Sequence, residues 1–299
     1  MLTIITPSYN RAYTLSKCYE TLCGQTSKNF NWLVIDDGST DNTQELVQSW
    51  TDEGKIKIRY VKKENGGKAS ALNYALDYLQ TPYCCVLDSD DYFTLDAVEK
   101  AISLLLSEKD NDACCGVIAL RNNPDGTVIG GMKIPSEYKY ATGAELMIKL
   151  NLRTEYIEFM RTDLVKQFPY PSFSGEKFIP PSYVDYKISD SRKFLVSQEQ
   201  FCICEYIDDG LTKNKNSVIF KNPKGYTLIK LMSYERSESL KSKIRYGIMY
   251  NCGCILSRDK KWLKNAPYKL LTVILYPLGY IAYLKKFRKR VGNKIHAKN

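Results

Sequence analysis

Apolar positions in the first 120 residues come in short runs separated by stretches with helical spacing, as in a parallel sheet wrapped in helices. Leu2–Thr6 reads as a strand and Leu15–Cys23 as a helix, and Trp32–Asp36 as a second strand ending in Asp36-Asp37-Gly38. Ser39-Thr40-Asp41 offers capping side chains ahead of a helix through Glu45–Trp50. Ile56–Val61 alternates as a third strand, Gly66-Gly67 opens a helix over Ala69–Leu79, and Tyr83–Leu87 is a fourth, buried strand that ends at Asp88. Polar residues thus gather just past strand ends, at Pro7-Ser8-Tyr9, Asp36-Asp37 and Asp88–Asp91. Ligands of open α/β sheets sit outside the carboxyl ends of the strands, so these clusters predict one pocket on one edge.

Beyond residue 120 the pattern loosens. Val117–Leu120 and Thr127–Met132 read as strands around the turn Asn123-Pro124-Asp125-Gly126, Tyr156–Arg161 as a further strand, and Phe168–Pro181 as a loop rich in Pro, Phe and Tyr. Phe194–Tyr206 alternates imperfectly up to Asp208-Asp209-Gly210, a turn or a loop over the pocket, and helical spacing takes over from Pro223. Leu270–Leu284 carries no charge but is interrupted by Pro277 and Gly279, and it is shorter than the roughly 20 apolar residues a membrane span needs. Its tyrosines, Tyr276, Tyr280 and Tyr283, and the following Lys285, Lys286, Arg288, Lys289 and Arg290 suit a helix lying on an anionic membrane surface. A core helix followed by a solvated tail is the alternative.

Charge sharpens this picture. The net charge is +10, but the last fifteen residues hold seven Lys/Arg and no acid, and without them it falls to +3. Positive charge confined to a tail disfavours a nucleic-acid binder and favours a membrane surface. Cys84-Cys85 and Cys114-Cys115 are adjacent pairs inside apolar runs, poor geometry for crosslinks, and the start at Met1 leads straight into a strand, so a reducing, cytoplasmic setting is expected. Cys202-Ile203-Cys204 and Cys252-Gly253-Cys254 lack the usual zinc spacing. The one histidine, His296, lies in the tail, away from any chemistry.

The chemical signal is Leu87-Asp88-Ser89-Asp90-Asp91. Three carboxylates in four residues repel one another, and a shared hard cation, Mg²⁺ or Mn²⁺, is a natural reason to keep them together. A solvated acidic turn is the plainer reading of the triplet alone. Gly66-Gly67-Lys68 puts a cation at a helix start, where free N–H groups already favour anions. Acids for a metal and a basic helix start on one edge describe a site for a nucleotide diphosphate.

These residues, taken in order, resemble a known family. Ile5-Thr6-Pro7-Ser8-Tyr9-Asn10-Arg11, Gln25-Thr26, Val34-Ile35-Asp36-Asp37-Gly38-Ser39-Thr40-Asp41, Gly66-Gly67-Lys68-Ala69-Ser70-Ala71-Leu72-Asn73 and Asp88–Asp91 look like the motifs of glycosyltransferase family 2, inverting enzymes of the GT-A fold. The resemblance implies an α/β fold with a mostly parallel, Rossmann-like sheet covered by helices on both faces, plus a helical C-terminal extension. Residues 1–220 would form the catalytic domain, with 1–120 binding the nucleotide sugar and 121–220 the acceptor, and 221–299 would be a helical region with a membrane-associating tail. Pro7, Tyr9, Asp37, Lys68, Asp88 and Asp90 would bind the nucleotide sugar, with Asp37 on the base, and Asp90 and Asp91 would hold Mn²⁺ or Mg²⁺.

The second half is similar to sugar transferases of bacterial capsule and surface-polysaccharide assembly, through Phe168-Pro169-Tyr170-Pro171, Gly175-Glu176-Lys177-Phe178-Ile179-Pro180 and Glu205–Thr212. Glu176 would be the general base, although Lys177 stands where a second acid is common, leaving Glu158, Asp185 and Asp190 as substitutes. No Gln-x-x-Arg-Trp stretch follows, which points to single additions rather than processive synthesis. The expected donor is a UDP-sugar, and the expected acceptor a lipid-diphosphate-linked glycan at the inner face of the cell membrane. A sugar-phosphate nucleotidyltransferase would need a Gly-rich, Arg-bearing loop after the first strand, where Pro7-Ser8-Tyr9 stands. A non-catalytic component of a polysaccharide assembly complex would not need the acids.

Overall fold

The computed structural model describes residues 1–205, 210 and 213–296. Strand alternation builds its centre. In β1 (Leu2–Ser8), Leu2 and Ile4 face one side of the sheet and Ile5 the other; in β2 (Phe30–Asp36), Trp32 and Val34 oppose Leu33 and Ile35. With β3 (Ile58–Lys62) and β4 (Tyr83–Val86) these strands form a parallel half in the order β3-β2-β1-β4. Helices α1 (Ala12–Cys23), α2 (Thr43–Glu53) and α4 (Ala97–Ser107) cover one face. The other face is covered by α3 (Lys68–Ala75), α5 (Thr162–Val165) and α6 (Ser182–Ile188). Adjacent cysteines fall on opposite faces, Cys84 and Cys115 on one and Cys85 and Cys114 on the other, and all ten are free thiols.

The second half corrects the expectation of a mostly parallel sheet. It contains β5 (Asp91–Phe93), β6 (Cys114–Asn122), β7 (Tyr140–Ala141), β8 (Tyr156–Arg161) and β9 (Lys193–Cys204). Here β8 runs antiparallel to both β4 and β6, β9 runs parallel to β6, and β5 and β7 run antiparallel to β9. An antiparallel neighbour needs no crossover helix, and between β6 and β8 there is only β7 and a π-type turn over Glu145–Lys149. The strand expected over Thr127–Met132 is reduced to one bridge, Asn122 to Val128, because Gly130 and Gly131 both adopt positive φ. The helix expected to reach Leu79 loosens after Ala75 into a 3₁₀ turn, Leu76–Tyr78.

The helical spacing from Pro223 onward corresponds to α8 (Pro223–Glu235), α9 (Leu240–Ser257), α10 (Trp262–Asn265) and α11 (Lys269–His296), preceded by α7 (Lys215–Lys221). Pro at the first turn starts α8, and the Ser239 hydroxyl caps α9 by accepting the Ser242 N–H. Ile229, Met232, Tyr234, Tyr246 and Tyr250 form a third core with Ile148 and Tyr186, which ties these helices to the sheet domain. In α11, Thr272, Leu275 and Gly279 are buried toward α9, while Leu270, Val273, Ile274, Leu278 and Ile281 form an exposed stripe. The segment Lys269–Phe287 is long and apolar enough to cross a membrane by length and composition.

One close approach joins the two halves beside the strand edge. Gly67 has φ 87°, and a Cβ there would lie 1.9 Å from the carbonyl oxygen of Lys177. Gly67→Ala therefore strains the backbone and forces the 177 segment away, and a melting-temperature drop of at least about 2 °C is expected. An unchanged melting curve would mean the two segments do not meet.

Candidate active site

The carboxyl edge of the parallel half is stitched together loop by loop. Asn10, in a left-handed conformation, accepts the Thr40 N–H through its side chain (2.8 Å) and donates its own N–H to the Ser39 hydroxyl (2.9 Å). Asp41 takes the Ala12 N–H at 3.1 Å, so the loops after β1 and β2 hold each other. Asp36 is fully buried, accepting the Ser39 N–H and the Tyr60 hydroxyl. Asp37, also buried, turns to the next loop, where its oxygens accept N–H groups from Gly66 (2.9 Å) and Gly67 (2.6 Å) and meet the Lys63 ammonium at 2.9 Å. That grip fixes the start of α3, whose first residue, Lys68, forms an ion pair with Asp88 at the end of β4.

Asp37, Lys68, Asp88 and Asp90 are thereby brought to one edge. Pro7 lies in the last turns of β1 beside them, and Tyr9 projects from the following loop, 47% exposed. Burial pushes the Asp88 carboxyl up, but the Lys68 and Arg121 charges outweigh it and hold its pKa below the ordinary value. Asp90 makes no ion pair with the described residues, and burial followed by the Asp88 charge raises its pKa.

Asp91, expected beside Asp90 as a metal ligand, points elsewhere. It is buried on β5 against the guanidinium of Arg121, and its pKa is pushed up to about 7, chiefly by burial. Cys202 and Cys204 bring their sulfurs to within 4.8 Å of it, and Arg121 donates to Cys204 at 3.4 Å. With an arginine already balancing Asp91, a cation there would face like-charge repulsion. The second Cys-x-Cys pair sits on α9, with Cys254 in the third core, so the two pairs do not form one zinc site.

Arg121 is a site residue that the sequence reading passed over. It follows the buried run Cys114–Leu120 at the end of β6, and a charge closing such a run is the signal that could have identified it. It leads into a cavity of about 90 Å³ behind the edge, between α3, β4, β8 and α6. Lys68, Asp88, Arg121, Glu158 and Asp185 line the cavity, with Asn73 and Tyr170 joined across it by two reciprocal hydrogen bonds of 2.8 and 2.7 Å. Burial and then the neighbouring Asp185 raise Glu158 to about 8. Burial raises Asp185 to about 6, and its Oδ2 has no hydrogen-bond partner among the described residues.

Glu176 lies at the rim rather than in this cavity. Its two oxygens accept the N–H groups of Lys224 and Gly225, both at 2.9 Å, capping α8, while the next residue lies against Gly67. Asp190 pairs with Arg236, away from the cavity lining. Asp208 and Asp209 fall outside the described residues.

Comparison with known proteins comes from three directions. The family model of glycosyl transferase family 2 matches residues 3–169. Chondroitin synthase of Pasteurella multocida is 37% identical over 130 residues, 43% of this chain and 13% of that protein. Glycosyltransferase GlyA of Streptococcus pneumoniae is 37% identical over 98 residues, 33% of this chain and 14% of that protein. The matched region thus spans about an eighth of the curated synthase. Among solved structures, residues 1–349 of Staphylococcus aureus TarS in complex with UDP-GlcNAc superimpose with a TM-score of 0.60 at 16% identity, covering 97% of this chain and 82% of that one. The mannosyltransferase PcManGT of Pyrobaculum calidifontis, in complex with GDP-Man and Mn²⁺, gives 0.61 at 16% identity, covering 99% and 84%.

The cavity makes a pH prediction. Glu158 is raised from 4.5 to about 8 in the folded state, so between those values the native chain keeps a proton that the unfolded chain has released. Stability is full on the acid side of this window and is lost as pH rises through it. Melting temperature should therefore fall more steeply between about pH 5 and about pH 8 in the wild type than in Glu158→Gln. Parallel curves for the two proteins would show that Glu158 is ionised throughout.

Proposed function

The chain belongs to glycosyl transferase family 2, and we propose that it transfers a sugar from a nucleoside-diphosphate sugar to a hydroxyl of a membrane-held bacterial surface glycan, inverting the anomeric carbon and adding one unit at a time. The observation that carries this reading is the sequence of contacts at the strand edge: Asp37 grips Gly66 and Gly67, which places Lys68 at the start of α3 against Asp88, with Asp90 beside it and without an ion pair among the described residues. Solved neighbours hold UDP-GlcNAc, or GDP-Man with Mn²⁺, and a UDP-sugar is the donor we assign. Residues 1–220 are assigned to catalysis and 221–299 to the helical, membrane-facing region.

The donor set fits a hard divalent cation. Asp90 and Asp88 supply oxygen ligands, and the mutual repulsion that raises Asp90 is what a cation would relieve. Bound there, Mn²⁺ or Mg²⁺ would neutralise charge on the diphosphate as it departs. Lys68, paired with Asp88, would add a second positive charge beside the diphosphate. Pro7 and Tyr9 are assigned to the base, and Asp37, whose oxygens hold Gly66 and Gly67, is assigned to shaping the pocket beside it.

A sugar hydroxyl needs a carboxylate to take its proton as the new C–O bond forms. Glu176 is assigned that role, at the rim where an acceptor would arrive. A second reading assigns it to Asp185, favoured by one observation: this buried carboxyl lines the same cavity as Lys68 and Asp88. Glu176→Gln also weakens the α8 cap, at a cost of about 0.5–2 kcal/mol, so activity must be read beside the melting temperature. Glu176→Gln should abolish transfer with nucleotide affinity retained, whereas Asp185→Asn should slow it only modestly. The reverse pattern would move the base to Asp185. Asp90→Asn should lower Mn²⁺-stimulated nucleotide release from a donor by at least about a hundredfold, and undiminished release would remove Asp90 from the site.

The exposed stripe of α11 is assigned to the anionic inner membrane surface, where Lys285 and Lys286 follow it. Its side chains point away from α9, so acids placed there leave the helix packing alone. Ile274→Glu combined with Leu278→Glu should abolish flotation with anionic liposomes. Flotation equal to wild type would leave the stripe without that role.

A further inference from the structure

Four cationic side chains converge from four helices at one end of the C-terminal bundle. Lys230 of α8 is partly buried, its ammonium 5.4 Å from the ring centre of Tyr226 and 5.9 Å from that of Tyr246. Arg245 of α9 lies over Tyr246 at 5.5 Å, so that ring contacts two cations. Phe220 of α7 stacks on Phe287 of α11 at 6.4 Å, and the charges of Lys215 on α7 and Lys286 on α11 act on Lys230. On α11, Lys286 follows Leu275 and Gly279 along the inward-facing side of the helix, opposite the exposed apolar stripe. Lys215, Lys230 and Lys286 have no carboxylate partner among the described residues, and the recorded partner of Arg245 is the neutral side-chain oxygen of Asn151. Burial, then Lys215, Arg245 and Lys286, push Lys230 down to about 8. Like charges brought together at an exposed rim around a half-buried lysine call for an anion to balance them.

We propose that Lys215, Lys230, Arg245 and Lys286 form a binding site for a phosphoryl anion, presented by a membrane amphiphile. The two tyrosine rings hold the cations over their faces and exclude water beneath them, which raises the worth of each charge contact. The site lies about 9 Å along α8 from Lys224, whose N–H the Glu176 carboxylate accepts, so a phosphate held here places the attached saccharide near the rim. The identity of the amphiphile as an acceptor rests on the transferase reading, whereas the anion site rests on the cation cluster alone.

The test uses the full chain and two probes, inorganic pyrophosphate followed by calorimetry, and flotation with vesicles of phosphatidylcholine with or without phosphatidic acid. Lys230→Met keeps most of the stem that packs on Tyr226 and Tyr246 and removes the charge, and Lys286→Gln changes an exposed residue should the first variant fail to fold. Each variant should weaken pyrophosphate binding on the order of tenfold, the value of one charge-assisted contact, and should reduce flotation on phosphatidic acid vesicles. Wild-type pyrophosphate affinity in both folded variants overturns the site. Pyrophosphate binding that is lost in the variants, with flotation unchanged, overturns the amphiphile and leaves a site for free phosphates. Metal-stimulated release of nucleotide from a donor by the wild type reads the other reading separately, because its absence would sink the transferase and leave the anion site standing.

Discussion

The arrangement at the strand edge depends on what the Asp37 carboxylate does with its two oxygens. Buried at the end of β2, it takes N–H groups from Gly66 and Gly67 and an ammonium from Lys63, and so fixes the loop that leads into α3. A buried carboxylate with several donors is strongly satisfied, and the loop inherits that rigidity. Because Gly67 is clamped, α3 begins where its Lys68 meets Asp88, and because Gly67 lacks a Cβ, the segment carrying Glu176 and Lys177 can pass directly over it. Both halves of the sheet domain are thus registered on one dipeptide.

Charge is distributed around this point so that each acid has a different environment. Asp88 is held ionised by Lys68 and Arg121, Asp91 is absorbed into a pair with Arg121, and Asp90 has no ion pair among the described residues. Behind them Glu158 and Asp185 are raised by burial into the range where a proton can be held or released near neutrality. Carboxylates therefore differ in role, as ligand candidate, buried counter-charge or proton holder, at and behind one edge, and the distinction comes from what lies opposite each.

The parallel half was legible because it obeys local rules. Alternation in Leu2–Ser8 and Phe30–Asp36, and a Gly-Gly-Lys ahead of a helix, are written within a few residues of each other. The antiparallel half was not, since pairing of β8 with β4 and of β5 with β9 joins residues 74 or more positions apart, which no window of sequence displays. The same limit explains the site residues. Asp88 and Lys68 were identified from strand and helix ends, whereas Arg121 becomes part of the site only through the pairing of β6 with β8 and β9. Asp91 sits one residue from Asp90, and an acidic run cannot show that the strand following it turns one of its members inward. Glu176 was noticed for its neighbours in sequence, but its capping of α8 is a contact made 48 positions away.

That contact also connects the two regions of the chain mechanically. A helix is a stiff element with a rise of about 1.5 Å per residue, so once Glu176 fixes the N-terminus of α8, the position of Lys230 relative to the rim is fixed as well. The third core then sets α9 and α11 against α8 through Tyr234, Tyr246 and Tyr250, and the outward direction of the apolar stripe follows from the burial of Thr272 and Leu275 on the opposite side. The cavity, the rim carboxylate, the basic cluster and the stripe are consequently held in a single frame, in which the orientation toward a surface and the approach to the strand edge are not independent. On the proposed transferase reading, a chain built this way would select its acceptor partly by depth, since a hydroxyl would reach the rim only when the rest of its carrier lies where α11 and the basic cluster allow.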